Sequence, residues 1–345
     1  MPAIIGLGSR ILTFSTYLYI EVGGSGTTPN YNVGAALSTI VLLVAIALSV
    51  WYARMQKQAH RYAVVTGKSY RKRLIPLGKA RSLAWGFLSI FFFGNILVPL
   101  ALLVWSSLLP VFQVPSAAAW ATASLHNFYT QPWDLVVQAF GNTAFLSIAT
   151  PTLAMALSVL FSWVVLRSRV PGRYCFDVVA FLPHAVPSVI FGVGALMLTL
   201  FVVQRVVPIY GTVWVILAVF VIVRLSYGTR MTNNGLMQIH KELEEAALMC
   251  RASPWIVARA IVIPLLAPTI LYAWIWIALL TFRELTLAVF VTTTSNLTLP
   301  VVIWSIWESG SVGKASALTL VMLAIIVPII ALYWFFARGP EPQKN

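Results

Sequence analysis

Residues Glu242 to Pro268 read ELEEAALMCRASPWIVARAIVIPLLAP, a charged, proline-broken stretch between two long apolar runs. Glu242, Glu244 and Glu245 open it, Ser253-Pro254 divides it, and Pro264 and Pro268 close it. On a helical wheel Leu236, Ile239, Leu243, Ala246, Ala247 and Cys250 share one face. Lys241, Glu244, Glu245 and Arg251 take the other, with Leu248 among them. Serine before proline is an N-cap followed by a favoured first helical residue. The stretch therefore reads as two short helices meeting at an angle, each with one face on the rest of the molecule. Leu248 and Met249 are then offered outward. An ordinary amphipathic surface helix would show the same pattern, and the residues alone leave both readings open.

Around this stretch the chain is built for lipid. Of its 345 residues 60% are hydrophobic and 9% charged, with a mean hydropathy of +0.88. A soluble domain of this length would need far more charge on its surface. About seven runs reach the ~20 residues that a helix needs to cross hydrocarbon. They lie near 33–53, 83–109, 137–166, 176–203, 212–232, 265–294 and 317–337. Unpaired backbone is too costly in lipid, so the expected fold is all-α, a polytopic membrane helix bundle.

The net charge of +14 is a topology signal. Residues 54–81 carry Arg54, Lys57, Arg61, Lys68, Arg71, Lys72, Arg73, Lys79 and Arg81 with no acid. Arg167, Arg169 and Arg173 mark the third connection, and Lys241, Arg251 and Arg259 the fifth. The alternate connections hold only Arg205 and Lys314. Basic loops stay in the cytoplasm, which places the N-terminus outside and the C-terminus inside, with membrane lipid as a partner. The same alternation argues against nucleic acid. Cys175 and Cys250 fall on the reducing side without paired spacing and read as small packing residues. The N-terminus lacks the charge pattern of a cleaved signal peptide.

Residues 1–32, with Gly23-Gly24-Ser25-Gly26, read as an external loop, and 54–82 as a basic linker. Gly67-Lys68-Ser69 looks like the end of a phosphate-binding loop, but Tyr62 stands where its first glycine is required. No ATP site on this chain is expected. His60, His126, His184 and His240 have no metal-ligand spacing, and His184, inside a span, reads as structural. Pro99, Pro151, Pro183, Pro187 and Pro328 fall within spans. Pro183 and Pro187 should break or kink theirs, with Gly192 and Gly194 permitting close packing. Such a broken helix lines a substrate path or is a plain kink. Arg224 interrupts the fifth span, and Arg283-Glu284 the sixth. Charges at that depth face a pathway or gate, or fix helices to one another.

The opening stretch resembles the EAA loop of the permease subunits of binding-protein-dependent ABC importers. That motif is Glu-Ala-Ala, a glycine after three residues, and a close in Ile-x-Leu-Pro. Glu245-Ala246-Ala247 and Ile261-Val262-Ile263-Pro264 fit it. GTRMTNNGLMQIHKELEEAA (228–247) and FRELTLAVF (282–290) are similar to the ferric-iron branch, whose relatives carry polyamines, thiamine or phosphonates. The resemblance covers residues 83–338 as one six-span MetI-like permease domain, followed by a cytoplasmic tail at 339–345. Residues 1–53 resemble the tail of a preceding permease half, so the chain is expected to be the latter part of a two-half protein.

What the resemblance implies is the membrane subunit of an importer in the bacterial inner membrane. ATP would be hydrolysed on a separate cytoplasmic ATPase dimer, with no cofactor or metal on this chain. A periplasmic binding protein would deliver the solute, ferric iron first, to this chain paired with a second permease half. Glu244, Glu245, Ala246, Ala247, Leu248, Met249, Arg251 and Pro264 would form the contact with the ATPase. Glu245 would anchor the helix while Leu248 and Met249 fill a groove. Arg251 stands where the motif has glycine, so the turn is made differently or Arg251 meets an acid on the partner. Pro183, Pro187, Arg224, Arg283 and Glu284 are the pathway or gate candidates. The rivals are a secondary transporter or channel using those charges, and a scaffold that docks a partner without transport.

Overall fold

The computed structural model describes residues 12–23, 30–57, 77–78, 80–168 and 170–337, and every regular element among them is a helix. In chain order they are α1 (Phe14–Gly23), α2 (Tyr31–Lys57), α3 (Ala80–Leu108), α4 (Ala117–Ala121) and α5 (His126–Tyr129). There follow α6 (Trp133–Arg167), α7 (Tyr174–Ala185), α8 (Ser188–Val206), α9 (Val213–Gln238) and α10 (Lys241–Met249). The last are α11 (Pro254–Phe282), α12 (Ala288–Val291), α13 (Leu299–Glu308) and α14 (Val312–Ala337). Six of them, α3, α6, α8, α9, α11 and α14, are long and apolar enough to cross a membrane. The first expected span falls in α2, whose apolar part, Asn32–Leu48, is shorter than those six. Gly67-Lys68-Ser69 and most of the basic linker lie outside the described residues.

The boundaries differ from expectation where a proline or a polar pair resets the helix. The run at 176–203 is two helices, α7 and α8, parted at Val186-Pro187, where both residues are extended in ψ (130° and 134°). Pro183 stays inside α7, as Pro151 and Pro328 stay inside α6 and α14. The sixth span stops at Phe282, so Arg283 and Glu284 lie beyond its end and not within it. Residues 14–23, expected in a loop, form α1, with Leu18 and Val22 buried. Among the described residues three wide π turns interrupt the spans, Phe93–Leu97 in α3, Thr199–Val203 in α8 and Ala258–Val262 in α11, and the first and last have one cause. A proline ring collides with the carbonyl four residues before it. Pro99 and Pro264 meet Asn95 and Ala260, and widening the turn there relieves the collision.

The chain divides into two compact units. One comprises Met1–Tyr52, Val137–Val302 and Phe336–Asn345; the other comprises Ala53–Val136 and Ile303–Phe335. In the second, the end of α3 is held by side chains. Asn127 Nδ2 donates to the carbonyls of Ser107 and Leu109 at 2.9 and 2.8 Å, and Gln131 bridges to the Lys314 carbonyl at 2.9 Å. These bonds satisfy acceptors that a helix end leaves open. Elsewhere α3 buries none of its most apolar window, and a helix apolar all round suits lipid.

In the first unit α9 is the central helix, with 67% of its most apolar window buried against 39% for α6. Ile216, Phe220 and Val223 pack against Leu146, Leu287 and Val291. Towards its C-terminal end, Tyr227 and Met231 pack against Met155, Ala273 and Ile277 of α6 and α11. Small residues allow this approach. A Cβ added at Gly228 would lie 2.1 Å from Ser158 Oγ, and one at Gly235 2.6 Å from Leu266 Cδ1. Of the glycines expected to pack closely in α8, Gly192 does so, against Phe290, whereas Gly194 faces open space. Gly228→Val should therefore lower stability by about 1–3 kcal/mol through overpacking. Gly194→Val should not, and thermal unfolding of the two variants in nanodiscs compares them directly.

Candidate functional site

The helix α10 follows α9 after only Ile239 and His240, whose extended ψ values of 116° and 131° break one helix and start the next. Glu242 and Glu244 sit in its first turn, where negative charge suits the exposed N–H groups. Its C-terminus closes on a left-handed residue. The Ala252 N–H donates to the Ala247 carbonyl at 3.2 Å and the Arg251 N–H to the Leu248 carbonyl at 3.0 Å. That pair of bonds is a Schellman turn, which needs a residue with positive φ after the helix. Arg251 supplies it with φ of 61°. The turn is thus made in the glycine manner, with an arginine bearing the strain.

The chain then restarts at Ser253, whose Oγ accepts from the Ile256 N–H at 3.3 Å. The cap is as expected, but the second helix is not a separate short one. It continues through the π turn at Ala258–Val262 into α11, with Val257, Val262 and Leu266 buried and Pro264 exposed.

The face that α10 turns to its own chain also differs. Leu236 and Ile239 pack beside Val262 and Leu266 as expected. Leu243, Ala246 and Cys250 are exposed, and the residues partly covered are Glu244 and Ala247. The break at Ile239-His240 resets the helical phase, so residues 236–250 do not share one continuous face. Arg167 decides the new orientation. Its Nε lies 2.7 Å from Glu244 Oε1, with side chains only 8% and 12% exposed. Its Nη2 donates to the carbonyls of Leu236 and Ile239 at 3.1 and 3.0 Å. The Nε contact is ionic and lacks the alignment of a directed hydrogen bond. Glu245 stays exposed, Leu243 and Leu248 are about half exposed, and Met249 is 87% exposed. Trp255 and Ile256 at the start of α11 extend this apolar surface. Cys175 and Cys250 are exposed free thiols and not buried packing residues.

Arg224 and Glu284 form a second charged cluster. Arg224 of α9, 5% exposed, pairs with the Glu284 carboxylate and donates to the Leu280 carbonyl at 3.2 Å. Glu284 also accepts from the Leu287 N–H at 3.2 Å, joining the end of α11 to the start of the segment before α12. Arg224 lies 6.0 Å from the Tyr227 ring, which meets His184 edge-on at 5.0 Å. Arg283 ends α11 and is exposed, apart from that pair. Pro187 marks the helix break described above, while Pro183 lies one turn before it. In the sequence Arg167 is marked only as one more cytoplasmic charge. A cation in the last turn of a span was the signal available.

Two substitutions probe these arrangements. Arg251→Gly removes the cost of a side chain in the left-handed region and should stabilise the turn by about 1 kcal/mol. Arg224→Leu leaves Glu284 without its buried partner and should cost about 3 kcal/mol or more. Melting temperatures of the purified variants should move in opposite directions.

Comparison with known proteins agrees with this architecture. Residues 154–341, more than half of the chain, match the family described as binding-protein-dependent transport system inner membrane component. The chain is 26% identical over 254 residues to the Salmonella paratyphi A permease protein PhnV, named for a 2-aminoethylphosphonate transport system, covering 73% of this chain and 93% of that one. It is 23% identical over 354 residues to the ferric transport system permease protein FbpB of Actinobacillus pleuropneumoniae. That match covers 100% of this chain and 49% of FbpB, so the chain spans about half the length of that relative. Its fold is similar to a crystal structure of a bacterial ABC transporter involved in importing the acidic polysaccharide alginate. The TM-score is 0.62 at 16% identity, over 76% of this chain and 96% of that one. The chain is a multi-pass inner-membrane permease subunit of an ABC importer, and it belongs to the binding-protein-dependent transport system inner membrane components.

Proposed function

We propose that α10 is the surface through which this permease takes up the work of a separate cytoplasmic ATPase dimer. The observation that carries the reading is a short helix fixed to its own chain through Glu244 while Leu243, Leu248 and Met249 stay exposed. Lipid does not account for that surface, because Glu242, Glu245 and Arg251 surround it. An apolar centre with a charged rim is what a protein partner recognises. In this reading Leu248 and Met249 enter a groove on the ATPase, Glu245 and Arg251 meet polar groups at its edge, and ATP binds only to the partner. Ala246 lets the partner approach closely.

Closure of the ATPase dimer then moves α10, and the spans pass between inward- and outward-facing states around a second permease half. A periplasmic binding protein presents the solute on the opposite side, with the N-terminus there and the C-terminus in the cytoplasm, as the basic loops indicate. Ferric iron is the first solute to test, supported by the likeness to FbpB over the whole chain. A phosphonate is the second, supported by the likeness to PhnV. Transport assays with the two solutes distinguish these readings.

The docking claim is tested by co-purification from membranes. Leu248→Asp should weaken ATPase association by about 2 kcal/mol, roughly thirtyfold, because it puts a charge into a desolvated contact. Glu245→Lys should weaken it less. Both positions are exposed, so yield of the folded permease should not change. If both variants retain the ATPase and solute uptake at parental levels, α10 is not the docking surface.

A further inference from the structure

We infer that Arg167 is the positioning residue that turns movement of α10 into movement of the spans. The inference rests on the docking reading above but concerns a different contact, one made wholly within this chain. A nine-residue helix such as α10 has little stability of its own. The side chains it turns inward are those of Glu244 and Ala247, so these two, expected in the ATPase contact, face the permease itself. Of these, only Glu244 has a charged partner, the guanidinium of Arg167 at 2.7 Å.

That guanidinium serves three elements at once. It projects from the last residue of α6, fills the open carbonyls of Leu236 and Ile239 at the end of α9, and holds Glu244 of α10. Arginine suits this task, since its planar group presents several donors in fixed directions, whereas a lysine amine is a single point. Exposed ion pairs hold little, but here the side chains are 8% and 12% exposed. Pulling α10 away alone would strand two buried charges. The easier course is for the ends of α6 and α9 to travel with it.

The neighbouring packing carries that movement on. Val159, Trp163 and Leu166 of α6 meet Leu236 of α9 and Val262 and Leu266 of α11 directly beside the Arg167 joint. At the other end of α11, Arg224 and Glu284 fasten it to α9. A displacement applied at α10 therefore enters three packed helices, of which α9 and α11 are tied again at the far end. A role limited to capping α9 would require the carbonyl bonds alone and would leave Glu244 replaceable.

The test uses the full permease–ATPase complex in nanodiscs, with Cys175 and Cys250 changed to Ser and Thr286→Cys as a reporter. Thr286 is exposed and lies just past the end of α11 remote from α10. Its maleimide labelling rate is measured with and without ATP plus vanadate. In the parent, trapping should change the rate several-fold. Glu244→Gln, which spares the carbonyl bonds of Arg167, should retain the ATPase and its hydrolysis yet show the same rate in both conditions. Glu244→Asp, which keeps the charge, should recover part of the response, as should Arg167→Lys if Glu244→Gln is poorly folded. A Glu244→Gln complex that responds like its parent overturns the inference, as does a parent with no response. Loss of the ATPase from the parent complex would instead count against the docking reading.

Discussion

A helix that ends inside a packed apolar assembly leaves its last carbonyls without donors, and at the end of α9 that demand falls on Arg167. Its guanidinium also carries a charge that needs an anion nearby, and Glu244 of the next helix is that anion. Two separate requirements, backbone satisfaction and charge neutralisation, are thus met by one side chain. The orientation of α10 follows, and with it the surface that remains exposed: Leu243, Leu248 and Met249. Rotate α10 to bury those residues, and Glu244 loses its cation while Arg167 keeps only the carbonyls of α9.

The same constraint explains the other departures from ideal helices. Other interruptions are accommodated by residues at or beside them. Pro187 parts α7 from α8, and its own carbonyl accepts the Phe191 N–H at 3.1 Å. Pro99 and Pro264 follow π turns that make room for their rings. Arg251 takes the positive φ that closes the carbonyls of α10, and Ser253 caps α11 two residues later. These devices concentrate around α10, where a chain otherwise made of long spans must enter and leave a short helix in a few residues.

Much of this was legible in the sequence. Apolar run length located the six long helices, and Ser253-Pro254 marked the start of α11, whose far end at Phe282 falls well short of the expected 294. The extended break at Ile239-His240 was not legible, since neither residue has a strong local preference against continuing the helix. It reset the phase and moved Glu244, not Leu243, to the inner face. Arg167 as partner was also hidden, because the contact joins residues far apart in the chain. Likewise Arg283 and Glu284 read as interruptions of a span. The Arg224–Glu284 pair instead stabilises the chain just after the span has ended. Arg251 was flagged as a misfit by type, and the structure shows that type yielding to the turn. Local pattern fixed the elements, and long-range charge pairing chose the faces.

The central claim is that the exposed side of α10 meets a cytoplasmic ATPase. The most direct measurement replaces Met249, 87% exposed, with a photo-crosslinking amino acid and irradiates intact membranes. Identification of the captured protein by mass spectrometry should return an ATPase subunit, while the same probe at exposed Thr286 returns none. Capture of the ATPase from position 286 and not from 249 would contradict the account.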